Sequence, residues 1–208
     1  ISNIMKILRI AVTGSAGSGK SLVCHRFKTH GLGTLDCDVI ARQVVEPGMP
    51  GFKKIVEVFG RSIVQKDGTL DRTRLRNVIV DDAILRKKVE DILHPQILRQ
   101  MVLQIENAVV KGKKAVAVEV PLLFELGMKK QFDVTIAVVA QDIDLVKRIS
   151  NRDEVSNKNA QKMLDLQMSQ EDKMAMADHV VINKGTMAEL FESVDKLFDK
   201  IEKEFLTT

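Results

Sequence analysis

The residues with the most chemical content come early in the chain. Gly14-Ser15-Ala16-Gly17-Ser18-Gly19-Lys20-Ser21 places four residues between a glycine and Gly-Lys-Ser. That spacing suits a polyphosphate. Backbone N–H groups must turn inward around the anion, and glycines allow so close an approach. Lys20 supplies an ammonium for the β- and γ-phosphate oxygens, and Ser21 a hydroxyl for Mg²⁺. A helix opening at Lys20 adds the positive end of its dipole. At average composition, a chain of about 200 residues carries such a match by chance roughly 1% of the time.

Two carboxylates follow, Asp36 and Asp38. They fall at the expected end of a second strand, the edge at which open parallel sheets meet their ligands. Alternate spacing on a strand would put both on one side. Transfer of a phosphoryl group to an alcohol needs a group that takes the hydroxyl proton, and Asp38 suits that role. The competing reading makes Asp38 the N-cap of a helix through Val39-Ile40-Ala41-Arg42. Asp36 is a candidate for a Mg²⁺-bound water or a supporting position. His94, before Pro95, reads either as a base or acceptor contact or as a helix-end histidine bonded to backbone. Glu125 either organises an acceptor site or pairs with a nearby cation. Cys37, between two carboxylates, is disfavoured as a thiolate and reads as a small packed residue without a redox role.

Short Val/Ile-rich runs must position these groups. Ile7–Val12, Leu32–Asp36 leading into Asp-Cys-Asp, Lys114–Val120, Val134–Val139 and Val180–Ile182 read as five strands, alternating with helical patterns. Continuous apolar runs argue for a parallel sheet covered on both faces. A helix is expected from Lys20 to His30, closed by Gly31. Between the second and third strands lies a long stretch from Pro47 to Gly112. Pro47-Gly48-Met49-Pro50-Gly51 breaks the chain. Phe52, Ile55, Val56 and Phe59 then recur at helical spacing up to Gly60, and Asp71 is a plausible N-cap. Two further helical stripes flank Pro95. This stretch is too long for a simple crossover and reads as a helical insertion carrying a second substrate. The polar run from Lys147 to Asp172 reads as a mobile flap, or as a solvated surface helix.

Bulk composition narrows the classes. The 208 residues carry 32 Lys+Arg against 28 Asp+Glu, a net charge of +4 spread along the chain. Two polyphosphate ligands explain that excess as well as nucleic acid does. Aromatics are 4%, with no Trp and no Tyr, which argues against base stacking as a binding mode. Two cysteines give neither a disulfide framework nor zinc spacing, and fit a reducing, cytoplasmic setting. No apolar run approaches a membrane span. The start lacks a signal pattern, and Met5 is the expected natural start.

The ordered set of motifs resembles the dephospho-CoA kinase family. Thr13–Ser21 is followed by Leu35-Asp36-Cys37-Asp38-Val39-Ile40-Ala41-Arg42, Val45-Glu46-Pro47-Gly48 and Asp67-Gly68-Thr69-Leu70-Asp71-Arg72. Then come Ile92-Leu93-His94-Pro95-Gln96-Ile97, Val120-Pro121-Leu122-Leu123-Phe124-Glu125, and finally Gln167, Lys173, Ala177-Asp178 and Asn183-Lys184-Gly185. The resemblance runs from about Ile7 to Gly185. It implies an α/β P-loop kinase fold: a parallel five-stranded sheet with helices on both faces, a helical acceptor-binding insertion and a lid. The core is expected at about 5–48, 112–146 and 178–208, the insertion at about 49–111 and the lid at about 147–177. The implied reaction moves the ATP γ-phosphate to the ribose 3′-hydroxyl of dephospho-CoA, with Mg²⁺. The resemblance makes Asp38 the catalytic base, with Lys20 and Arg148 also catalytic. It assigns ATP to Gly14, Ala16, Gly17, Ser18, Gly19, Lys20, Ser21, Arg148, Arg152 and Asn183, the acceptor to Asp36, Arg42, Arg72, His94, Leu122 and Glu125, and the metal to Ser21. Arg148 and Arg152, at i and i+4, would share a helix face. Ser15-Ala16, Cys37 and Leu145 depart from the family's usual residues without removing a group that the chemistry needs.

The expected protein is a monomer or weak homo-oligomer without nucleic-acid or membrane partners. A nucleoside monophosphate kinase is the nearest rival, and the motifs of the insertion speak against it. A GTP-dependent switch would need Asn-Lys-x-Asp, and Thr186 stands where that carboxylate should be.

Overall fold

The computed structural model describes residues 7–80 and 82–207; the expected start at Met5 lies outside them. Strand β1 (Leu8–Thr13) runs into the glycine-rich loop and helix α1 (Lys20–Thr29). β2 (Gly33–Asp36) passes directly into α2 (Cys37–Gln43). Then come α3 (Pro50–Phe59), a 3-10 turn at Arg61–Ile63, α4 (Arg72–Ile79) and the 28-residue α5 (Ala83–Val110). β3 (Ala115–Glu119) and β4 (Val134–Val139) flank a 3-10 turn at Met128–Gln131. α6 (Asp142–Asp153), α7 (Asn157–Asp165) and α8 (Gln170–Met176) precede β5 (His179–Ile182) and α9 (Met187–Phe205).

The five strands form one sheet in the order β2-β3-β1-β4-β5. β1 pairs in parallel with β3, from Leu8 beside Ala115 to Val12 beside Glu119, and with β4, from Ile10 beside Val134 to Thr13 beside Ala137. β4 pairs in parallel with β5. Every residue of β4 is buried, so this strand is covered on both faces, as its unbroken apolar run requires. Ile10, Val12, Ala117, Ile136 and Val138 meet Val23 and Phe27 of α1 and Leu190, Val194, Phe198 and Ile201 of α9. The four apolar residues of α9 recur at helical spacing on one face. Thr186 and Glu189 close its start with a reciprocal capping box.

The chain divides into two compact units, 36–106 and the remainder. α2 belongs to the first. Arg72 Nη2 donates to the Arg42 carbonyl at 3.1 Å, and Gln104 Nε2 to Gln43 Oε1 at 3.1 Å. Within this unit Pro50 opens α3, Gly60 (φ 75°) closes it, and the Asp71 carboxylate caps α4 through the Arg74 N–H at 2.9 Å.

Two expectations for the helices are corrected. The apolar stripes on either side of Pro95 belong to one continuous helix, α5. Proline removes one donor and crowds the preceding turn, but good helix formers on both sides carry the helix through an exposed Pro95. His94 is therefore mid-helix and half-buried, not at a helix end. The polar run after Lys147 is broken by Glu154 in the left-handed region (φ 53°), then resumes from the caps Ser156 and Ser169. No helix among the described residues is long and apolar enough to cross a membrane.

Candidate active site

The loop between β1 and α1 is shaped by backbone that only glycine tolerates. Gly14 sits at φ 146°, and a Cβ there would strike the carbonyl of Val138 in β4. Gly19, the N-cap of α1, sits at φ 102°, and a Cβ there would strike the Asn183 side chain. Both φ values lie where L side chains are strained.

Side chains hold the loop from outside. Lys20 Nζ donates to Ser15 O at 3.1 Å, Arg148 Nη1 to Gly17 O at 3.0 Å, and the buried Asn183 Nδ2 to Ser18 O at 2.8 Å. Gln167 Oε1 accepts from the Ala16 N–H at 3.0 Å. Asn183 follows β5 directly, its own N–H bonded to Val139 O at 2.7 Å. Three loop carbonyls are thus held by side-chain donors, and the Ser18 N–H donates to Ser15 O at 3.1 Å. Ser18 Oγ is buried and, among the described residues, the one buried side-chain oxygen or nitrogen without a hydrogen-bond partner. Such an orphan is costly, and an anion seated in the loop would satisfy it.

Ser21 Oγ donates to Glu119 Oε1 at 3.1 Å. Glu119 ends β3, beside Val12. A loop hydroxyl and a strand-end carboxylate are hard oxygen donors of the kind that hold Mg²⁺ next to a phosphate loop. Sequence reading missed Glu119, although a carboxylate closing an apolar strand was a usable signal.

Glu125 is a counter-ion. Lys173, fully buried in α8, donates to Glu125 Oε1 at 2.8 Å and to Pro121 O at 2.9 Å. The same carboxylate oxygen accepts from Met168 N–H at 3.3 Å, and Thr13 Oγ1 also donates to Pro121 O at 3.3 Å. Residue type gave Lys173 no such role, since lysines are almost never fully buried without a partner. Leu122, in the same connection, is 43% exposed. Arg152 shares α6 with Arg148, and its guanidinium lies on Asp153 at 2.7 Å.

The other expected residues lie in the unit 36–106. Asp36 is the last residue of β2, and its carboxylate accepts from Asp38 N–H at 2.8 Å and Val39 N–H at 3.3 Å. Asp36 is the N-cap of α2, a role the sequence offered to Asp38. Asp38 is in the first turn of α2 and exposed. The two carboxylates are therefore not on one side of a strand, because the strand ends at Asp36. Arg42 and Arg72 are exposed and joined through the Arg42 carbonyl.

A phosphate loop joining the central strand to a helix, a parallel sheet of this order and an arginine-bearing helix after β4 define a P-loop kinase. A profile of the dephospho-CoA kinase family matches residues 8–189. A dephospho-CoA kinase of Bacillus cereus is 37% identical over 178 residues, 86% of this chain and 89% of the relative. The dephospho-CoA kinase of Campylobacter jejuni superposes with a TM-score of 0.70 at 26% identity, over 94% of this chain and 98% of that one. TT1252 of Thermus thermophilus superposes with a TM-score of 0.82 at 27% identity, over 97% and 99%. The chain belongs to the dephospho-CoA kinase family.

Proposed function

We infer that the protein transfers the γ-phosphate of ATP to the ribose 3′-hydroxyl of dephospho-CoA, giving CoA and ADP, the last step of coenzyme A synthesis. The observation that carries this reading is a preformed phosphate loop with an orphaned buried hydroxyl at Ser18 in a chain of this family. The amides of the loop cradle the β- and γ-phosphates. Lys20 leaves Ser15 O for phosphate oxygens, and Arg148 and Arg152 neutralise charge on the migrating group as the lid closes. Ser21 and Glu119 would hold Mg²⁺, which when bound draws charge from the phosphate oxygens.

Asp38 accepts a hydrogen bond from the 3′-hydroxyl and takes its proton as the oxygen–phosphorus bond forms. The bond to the β–γ bridging oxygen breaks, and ADP leaves with that electron pair. Arg42, Arg72 and His94 are acceptor residues of the unit 36–106, and Leu122 and Glu125 serve the acceptor from the connection after β3. Glu125 does so by fixing that connection through Lys173. Asn183 serves ATP by bracing the loop. The protein acts in the cytoplasm, as a monomer or weak homo-oligomer, without nucleic acid.

Coupled ADP release tests the reading. Dephospho-CoA with MgATP should give sustained release, and Lys20→Ala should lose about two orders of magnitude or more while remaining folded. A wild-type protein that releases no ADP with dephospho-CoA sinks it.

A further inference from the structure

Gln167 has no part in the chemistry above, yet its side chain holds the backbone of the nucleotide loop. The peptide between Ser15 and Ala16 is fixed at both ends. Its carbonyl accepts from Lys20 Nζ at 3.1 Å and from Ser18 N–H at 3.1 Å, and its N–H donates to Gln167 Oε1 at 3.0 Å. The carbonyls of Gly17 and Ser18 are held by Arg148 and Asn183. If Gln167 let go, the Ser15–Ala16 peptide would keep only its carbonyl contacts. One of them depends on Lys20, the ammonium that must move to phosphate. Glycines at positions 14 and 17 flank the segment and allow such a plane to turn.

The support beneath Gln167 is rigid. It lies between α7 and α8, and α8 is tied to the sheet. Gln170 Oε1 accepts from Ala140 N–H at 2.9 Å while its Nε2 donates to Ala140 O at 2.9 Å. Lys173 adds its buried contacts to Pro121 and Glu125, and the Met168 N–H adds another to Glu125. Gln167 therefore projects from a fixed stem and not from the moving part of a lid.

We propose that Gln167 is a positioning residue of the nucleotide loop, holding the Ser15–Ala16 peptide in place when Lys20 moves to phosphate. The proposal rests on the reading of this loop as an ATP site. A backbone N–H only donates, so the side-chain oxygen must face Ala16, and the NH₂ stays beside the loop. A neutral amide does this without repelling phosphate, which a carboxylate in the same place would do.

The test uses the full chain and a fluorescent ATP analogue, read by direct titration, together with steady-state kinetics. Gln167→Ala should weaken the analogue by about tenfold, the equivalent of one hydrogen bond. It should leave the acceptor KM within about twofold, because the lost contact touches only the nucleotide loop. The melting temperature should be unchanged, since Gln167 is only half-buried. Gln167→Glu keeps an acceptor for Ala16 but brings a negative charge, and should bind the analogue more weakly than Gln167→Ala. Wild-type affinity in a folded Gln167→Ala overturns the proposal. So does an affinity loss that comes with a fall in Tm of more than about 5 °C, which marks a merely structural role. Binding of the analogue does not depend on the acceptor. A wild-type protein inert toward dephospho-CoA would thus count against the function and leave this result readable.

Discussion

Asp36 and Asp38 are the same residue type two positions apart, and the structure places them differently. Asp36 accepts from two backbone amides at the start of α2, whereas Asp38 sits in the first turn and is exposed. Asp36→Ala should lower stability by about 1 kcal/mol through loss of the cap. Asp38→Asn should lower kcat by roughly 10²–10⁴ with the melting temperature and ATP affinity little changed. Urea melts and kcat for both variants separate the roles, and a destabilised Asp38→Asn with intact kcat would remove Asp38 from the chemistry. The sequence held both aspartates but not which of them caps the helix. Nothing in Leu35-Asp36-Cys37-Asp38 marks where extended backbone turns helical. Glu119, a carboxylate near the end of an apolar run, offered a usable signal, although Val120 extends that run one residue beyond it.

At the scale of elements, the segment after β4 has two parts. α8 is held by Gln170, by the buried Lys173 and, just beyond its end, by Asp178. Burial works to raise the Asp178 carboxyl, but the Thr135 hydroxyl and Lys129 outweigh it and hold the carboxyl below its usual value. α6 and α7 are more polar, and the Glu154–Ser156 junction between them is largely exposed. Limited proteolysis without nucleotide should cut near that junction and spare α8, and ATP should suppress the cut. Cleavage within α8, or no effect of ATP, contradicts this division. The polar composition of 147–177 was legible, but its fixed stem was not. An ion pair such as Glu125–Lys173 joins residues far apart in the chain, and no local pattern reports it. Strands β1, β3 and β4, by contrast, were readable to within a residue or two, because burial on both faces forces continuous apolar runs.

Across the whole molecule, α1 and α9 close one face of the sheet, and an ionic cluster joins them at the rim. Arg26 meets Asp195 at 2.7 and 2.6 Å, and His30 Nε2 lies 2.7 Å from the same carboxylate. His30 also stacks on Phe198 with ring centroids 4.3 Å apart. Hydrogen bonding from Arg26, and then from His30, holds the Asp195 carboxyl down to about 2. A carboxylate depressed in the folded state adds stability above its ordinary pKa of 3.8 and loses it as pH falls toward about 2. The group is about one-third exposed, so screening limits the effect to no more than about 1 kcal/mol. Asp195→Asn should therefore lose stability in urea at pH 7, and the gap should narrow between pH 4 and pH 2. A constant gap across that range means the cluster adds no pH dependence.

The choice of acceptor separates this enzyme from other P-loop kinases. The phosphate loop accounts for ATP, but a P-loop core serves many acceptors. Remote contacts to a long acceptor should appear in kcat as well as KM, because they hold the reacting hydroxyl in place. The most direct measurement compares kcat/KM for dephospho-CoA, adenosine and AMP at saturating MgATP. Dephospho-CoA should exceed both others by at least about 10², the gain from some 3 kcal/mol of productive remote binding. Comparable values for the three, or a preference for AMP, would contradict it and favour a nucleoside monophosphate kinase.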